Sequence, residues 1–314
     1  MKIGLIDVDG HNFPNLALMR ISAWHKAQGD AVEWWWTDFY HYDRVYMSKV
    51  FSDAYSQDKP EPMNADEVIK GGSGYAISLN DGRECFNKAK HSNLPYEIER
   101  CFPDYSIYPQ YDFAVAMTSR GCPRGCPFCH VAAKEGRKAV KVANVSDFYC
   151  GQKLIVSLDP NITALPKADK RDLFCQYKET GAAVDFCQGL DIRMLTSEDI
   201  EMLNKMRLKN IHFAWDNPTD DLTEKFAEYA KHTTHKPSGG FGTVYCLTNF
   251  ENVTVSEHIE RALKRVYCLR DMGYDPYVMI YDKPHASKEL KKLQRWCNAK
   301  WIFKSCRKFE DYAP

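Results

Sequence analysis

The stretch Phe113-Ala114-Val115-Ala116-Met117-Thr118-Ser119-Arg120-Gly121-Cys122-Pro123-Arg124-Gly125-Cys126-Pro127-Phe128-Cys129-His130 decides how the chain is read. Phe113 to Thr118 has the short apolar run of a buried strand, and a Gly/Pro-rich loop carrying a CxxxCxxC spacing follows directly. Three thiolates on one short loop can each ligate one iron of a cubane cluster, with Gly and Pro letting the backbone curl around it. The fourth iron then stays open to a substrate or cofactor. Cys126 to His130 also matches the CxxCH haem-attachment pattern, but that belongs to exported proteins and leaves Cys122 idle. A structural zinc site wants four closed ligands; there is no second CxxC, and His130 stands next to Cys129 in an awkward geometry. A redox CxxC leaves the third cysteine unused. The remaining nine of the twelve cysteines are scattered, which suits small buried hydrophobes better than a disulfide framework.

Downstream, strands and helices alternate. Six strands are expected at 113–118, 153–158, 183–188, 210–215, 243–248 and 277–281, with helices between them such as 197–206, capped by Ser197, and 256–272, capped by Ser256 and stopped by Gly273. Such alternation predicts a parallel sheet or barrel whose ligands bind at the carboxyl ends of the strands. Upstream, strands at 2–8, 31–36, 44–51 and 68–74 with a helix after Pro14, ended by Gly29, predict a small βαβ-type unit. Gly71-Gly72-Ser73-Gly74 reads more readily as a chain reversal than as a phosphate cradle. The expected division is an α/β unit over 1–79, a linker over 80–111, a strand–helix body over 112–285 and a helical, aromatic extension over 286–314.

The whole-chain numbers limit the rest. A length of 314 residues gives two domains or one large barrel. Forty-two basic and 42 acidic residues argue against a surface that coats itself with polyanion. Aromatics at 13% exclude disorder over most of the length. No signal-peptide core and no run of eighteen apolar residues occurs, so a cytoplasmic protein with no membrane partner is expected.

The cysteine loop resembles the signature of the radical S-adenosylmethionine (SAM) superfamily: CxxxCxxC with an aromatic residue, here Phe128, before the last cysteine, in the loop after the first barrel strand. The resemblance covers roughly residues 112 to 285 and implies a partial (β/α)6 barrel. In it Cys122, Cys126 and Cys129 hold a 4Fe-4S cluster that cleaves SAM reductively, and the resulting 5′-deoxyadenosyl radical abstracts hydrogen from a substrate. By the same resemblance the SAM-binding positions are Phe128 on the loop, Ser157, Asp159 and Asn161 after the second strand, and Gln188, Asp191 and Arg193 after the third. Asp216 and Asn217 follow the fourth strand, and Thr248 ends the fifth. Arg193 has the planar fork that pairs with a carboxylate, here that of SAM. Each of these positions reads equally well as a turn or cap residue. An electron donor such as flavodoxin or ferredoxin is the implied partner.

The N-terminal order of strand, turn and helix resembles the Rossmann-like cobalamin-binding domain that precedes many radical SAM barrels. Asp9-Gly10-His11-Asn12-Phe13-Pro14 is similar to the DxHxxG loop that presents a histidine, here His11, to cobalt, with Pro14 where that loop has glycine. Cobalamin is therefore a cofactor the resemblance admits, and with it methyl transfer. A polar turn leading into a helix is the plainer reading. A non-enzymatic iron-sulfur or zinc protein is the alternative outside catalysis. Basic residues flank the loop (Arg120, Arg124, Lys134, Arg137, Lys138, Lys141) and crowd 283–308, so an anionic partner such as RNA stays open beside the reading as solvated helix faces.

Overall fold

The computed structural model describes residues 1–80, 83–239 and 241–313. It is a mixed α/β protein with several parallel sheets, and it divides by packing into two units. The first comprises Met1–Ala116, Arg124–Arg137 and Ala143–Gln152; the second comprises Met117–Pro123, Lys138–Val142 and Lys153–Pro314.

In the first unit, β1 (Lys2–Asp7), β2 (Ala31–Trp34), β3 (Tyr42–Ser48) and β4 (Ala65–Gly71) form a parallel sheet in the order β2-β1-β3-β4. β1 is the apolar run Ile3 to Ile6 because both its faces are covered. Ile3 and Leu5 pack against Leu18 and Ile21 of α1 (Leu16–Ala27), while Ile6 joins Val45 and Met47 on the other side. Asn15 caps α1 by accepting from Leu18 N at 3.2 Å, and Gly29 ends it at φ 83°. His25, buried at its last turn, lies 2.6 Å from Asp30 and 3.0 Å from Tyr46 Oη and is a satisfied core histidine.

The 80–111 segment belongs to this unit's fold. β5 (Ile77–Asn80) pairs antiparallel with β6 (Arg83–Phe86), and the short α2 (Tyr96–Glu99) buries Ile98 against Leu18 and Ile21. Beyond α2, Asp104 accepts from Ser22 and Lys26, Ile107 O accepts from Trp34, and Tyr108 is fully buried. The unit is completed by β7 (Ala114–Ala116), α3 (Val131–Glu135) and residue 148, whose carbonyl accepts from Tyr105 at 2.6 Å.

The glycine run at the end of β4 packs closely on the segment after β3, where Gly74 N donates to Lys49 O at 2.9 Å. Gly72 has φ 103°, and a Cβ on it would sit 2.2 Å from Lys49 O. Gly72→Ala is therefore expected to cost about 3 kcal/mol, read as a lowered urea midpoint with an unchanged slope. A variant with the native midpoint contradicts the close approach.

The second unit begins with a two-residue antiparallel pair, β8 (Ser119–Arg120) with β9 (Val140–Lys141). β10 (Leu154–Ser157), α4 (Lys167–Glu179), β11 (Ala183–Asp185), α5 (Ser197–Asn204) and β12 (Leu208–Asn210) follow, with the strands parallel in the order β12-β11-β10. A second parallel sheet runs β13 (His212–Ala214), β14 (Thr243–Thr248), β15 (Asp275–Ile280), linked by α6 (Thr223–His232) and α7 (Val255–Asp271). The helix starts differ from expectation. Thr196 and Thr254 are the caps, each in a reciprocal capping box, with Asp199 and Glu257, where Ser197 and Ser256 were expected.

α8 (Lys288–Asn298) and α9 (Lys300–Ser305) bring Leu293, Trp296, Cys297 and Phe303 into one core with Ala262, Val266 and Val278. The 286–314 segment is thus part of the second unit's interior. Among the described residues no helix is long and apolar enough to cross a membrane.

Candidate functional site

The cysteine loop leaves β8 and returns through β9. Gly121 (φ 82°) and Gly125 (φ 57°) adopt left-handed backbone on either side of Cys122, and Cys129 N donates to Cys126 O at 3.0 Å, closing a turn. None of the three cysteines is in a disulfide. Asn161 Nδ2 lies 3.4 Å from Cys122 Sγ, with its amide held by Thr163 Oγ1 donating to Oδ1 at 2.7 Å. Phe128 is half-buried. His130 Nε2 is 3.2 Å from Glu84, so its ring is engaged by a carboxylate rather than joining the thiols. Among the described residues no three His, Cys, Asp or Glu side chains are gathered at metal-binding distance. The chemistry of the donor set, three thiols on one loop turned at two glycines, is that of a cubane cluster's ligands with one iron left open.

The residues expected to hold SAM divide into two groups. Ser157 and Asp159 are buried and serve the fold. The Asp159 carboxylate accepts from Thr118 Oγ1 at 2.9 Å, Ser119 Oγ at 2.7 Å, Ser157 Oγ at 2.5 Å and Tyr177 Oη at 3.1 Å, and also from Ser119 N. Burial raises its pKa, and the bonds from Ser157, Ser119 and Thr118 oppose that rise. Thr248 is likewise buried, on the β14 face that packs against α7, and points to His258 O. Asn217 forms a local turn with Thr219 and Asp220. Ser157, Asp159 and Thr248 are thus engaged inside the fold, whereas Asn217 is exposed beside its local turn.

Arg193 also departs from expectation: its fork is already held by Asp191 at 2.7 Å and Asp220 at 3.0 Å, so a SAM carboxylate would have to compete with two of the chain's own. Gln188 is exposed, with Nε2 3.7 Å from Cys187 Sγ. Asp216 accepts from Leu247 N at 3.0 Å, and buried Arg265 ties the neighbouring strand ends together by donating to Trp215 O, Asp216 O and Leu247 O. Asn161, Gln188 and Asp216 keep a polar group near a strand's carboxyl end.

Burial pushes the Asp216 pKa up to about 6, against the Leu247 hydrogen bond and the charges of Arg265 and Arg193. A carboxyl whose folded pKa is raised stabilises the fold below its unfolded value, near 4, and loses that contribution as pH rises through about 6. Asp216→Asn keeps an acceptor for Leu247 N without the charge. It is expected to gain about 2 kcal/mol at pH 7.5, discounted for partial exposure, and nothing at pH 4. Denaturation curves at the two pH values check this; an equal effect at both contradicts it.

Sequence reading missed one group. On β13, β14 and β15 the helix-facing side chains Phe213, Val244, Cys246 and Val278 are fully buried, while alternate residues point to the opposite face. There Tyr277 and Met279 are 39% and 43% exposed, unusual for a parallel sheet, whose two faces are normally both covered. The row continues through Tyr245 and His212, stacked at 5.6 Å with rings 6° from parallel, to Asp185 of β11 and Cys187 just beyond it. The signal was one polar or aromatic residue on the alternate face of each strand, Asp185, His212, Tyr245 and Tyr277, inside segments read only as strands.

In the first unit the loop after β1 is committed to its own packing. The Asp9 carboxylate accepts from Val50 N at 2.5 Å and Phe51 N at 3.3 Å, so it pins one loop to the next and does not orient His11. Tyr108 donates to Asp7 at 2.7 Å beside the carboxyl ends of β1 and β3, the point where strand order reverses and a ligand would enter. His11 is exposed, edge-on to Trp34 at 4.2 Å, with its pKa lowered by burial and by Lys59. A cofactor at this switch point would meet Tyr108, buried and bonded to Asp7, and a His11 ring packed on Trp34. No family model and no curated protein matches the chain.

Proposed function

We propose that this chain is a radical SAM enzyme, with Cys122, Cys126 and Cys129 ligating a 4Fe-4S cluster. Its second unit, with the strand that precedes the cysteine loop, is read as the partial (β/α)6 barrel, and its first as a Rossmann-like unit without cobalamin. The observation that carries the reading is the cysteine loop itself: three cysteines in CxxxCxxC spacing, Phe128 before the last, and left-handed glycines at 121 and 125.

When bound, the cluster and SAM supply the reductive cleavage that starts hydrogen abstraction. The chain supplies the rest. Asn161 directs an amide N–H at Cys122 Sγ, a contact that stabilises negative charge on the thiolate. Asp159 fixes Thr118 and Ser119, and with them the start of the loop. Asp216, whose carboxylate accepts from Leu247 N beside strand ends held by Arg265, would be among the residues that hold SAM. The second unit's open strand face accepts the substrate. Anaerobic reconstitution followed by SAM and dithionite tests the proposal: 5′-deoxyadenosine is the expected product, and its absence from protein containing a full cluster overturns it.

A further inference from the structure

The open strand face carries four titratable side chains in one line, and their order is chemically directional. Asp185 stands behind His212, with Nε2 3.2 Å from Oδ1, an ion-pair distance; that oxygen is buried and accepts no hydrogen bond. The carboxylate's charge, at that distance but outside hydrogen-bond geometry, favours the proton on Nε2, which leaves Nδ1 as acceptor for the Tyr245 hydroxyl, 3.1 Å away. The Tyr245 hydroxyl oxygen keeps its lone pairs beside the exposed Tyr277 and Met279. Burial, with Cys187, Asp185 and Tyr277 nearby, raises the Tyr245 pKa, so it meets a ligand as a neutral phenol. Asp185, Cys187, His212, Tyr245, Tyr277 and Met279 include no Lys or Arg, so the row offers nothing to a phosphate.

We propose that Asp185, His212 and Tyr245 form a proton relay that binds a neutral, hydroxyl-bearing substrate and takes the proton of that hydroxyl. The inference rests on the reading of this face as the substrate site. In the step the substrate O–H bond breaks and its proton goes to Tyr245 Oη, while the Tyr245 proton passes to His212 Nδ1. The product is an alkoxide beside an imidazolium that Asp185 neutralises, with no electron gained or lost. Tyr245 and His212 are the catalytic residues; Asp185 acts through His212 and is a positioning residue. The relay favours polyol-like substrates over nucleic acid.

The test is nitrogen NMR of full-length protein labelled at histidine, with the His212 signals assigned by their loss in His212→Gln. The expected spectrum has Nε2 protonated and Nδ1 as an unprotonated, hydrogen-bonded acceptor. Tyr245→Phe should move the Nδ1 resonance toward that of a free imidazole nitrogen, and Asp185→Asn should mix the two tautomers. Two variants guard against one failing to fold. Titration with myo-inositol, a neutral polyol, should shift His212 in the wild type and not in Tyr245→Phe, while inorganic phosphate shifts neither. An Nδ1 signal insensitive to Tyr245→Phe overturns the relay; a phosphate shift equal to that of inositol, or no inositol shift, overturns the substrate class. The measurement needs neither iron nor SAM, so its failure is separate from a failure to form 5′-deoxyadenosine.

Discussion

Cys126→Ala should take anaerobically reconstituted protein from about four irons per chain to near none and abolish 5′-deoxyadenosine formation. Each thiolate holds one iron corner, and no other cysteine stands near enough in sequence to replace Cys126: the nearest outside the loop are Cys101 and Cys150. Cys122→Ala and Cys129→Ala should behave alike. Cys85→Ala and Cys150→Ala are the controls; both residues are exposed, and iron and sulfide should stay at the wild-type level. Chemical iron and sulfide analysis, with the visible charge-transfer absorption of the cluster, reads all five variants. A triple variant that keeps a full cluster would falsify the assignment outright, whereas one control losing it would reassign a ligand.

Asp159→Ala is the substitution expected to damage the fold most. It removes the common acceptor of Thr118, Ser119, Ser157 and Tyr177 in a site where Ser119, Ser157 and Tyr177 are each about 1% exposed or less. The hydroxyls can turn in search of another partner; Ser119 N cannot. The cost of several orphaned donors is about 3 to 5 kcal/mol, read as a lowered urea midpoint. Because Thr118 and Ser119 begin the cysteine loop, iron uptake at temperatures where the variant is still folded should fall as well. A variant of native stability contradicts the network, and one that is destabilised yet loads iron normally confines Asp159 to the fold.

The periodic parts of the chain were legible in the sequence. β14 spans Thr243–Thr248 as its alternation predicts, and β1, β10 and β15 fall within two residues of expectation. Caps were misplaced because Ser197 and Thr196, or Ser256 and Thr254, offer the same chemistry, and only backbone geometry selects the threonine. The 80–111 segment looked like a linker because Pro, Asn and Tyr obscure any period; its order comes from side chains such as Tyr108 and Asp104 that bond to residues some 80 to 100 positions away. Site residues were harder to rank. An Asp after a strand looks the same whether it faces a ligand or, like Asp159, ends up beneath five donors. The Asp185–His212–Tyr245 row spans three strands, so no short motif contains it.

The partnership of Tyr105 with residue 148 sets a schedule for synthesis. At about 5 to 20 residues per second, some 5 to 20 s separate the emergence of Ser48, at the end of β3, from that of residue 148. During that interval the first unit's parallel sheet stands without the Tyr105 bond to residue 148. The first unit therefore closes late, after the cysteine loop has left the ribosome. A protease added to stalled ribosomes should cut chains arrested before residue 140 within β2 or the 80–111 segment and spare those arrested well beyond 152.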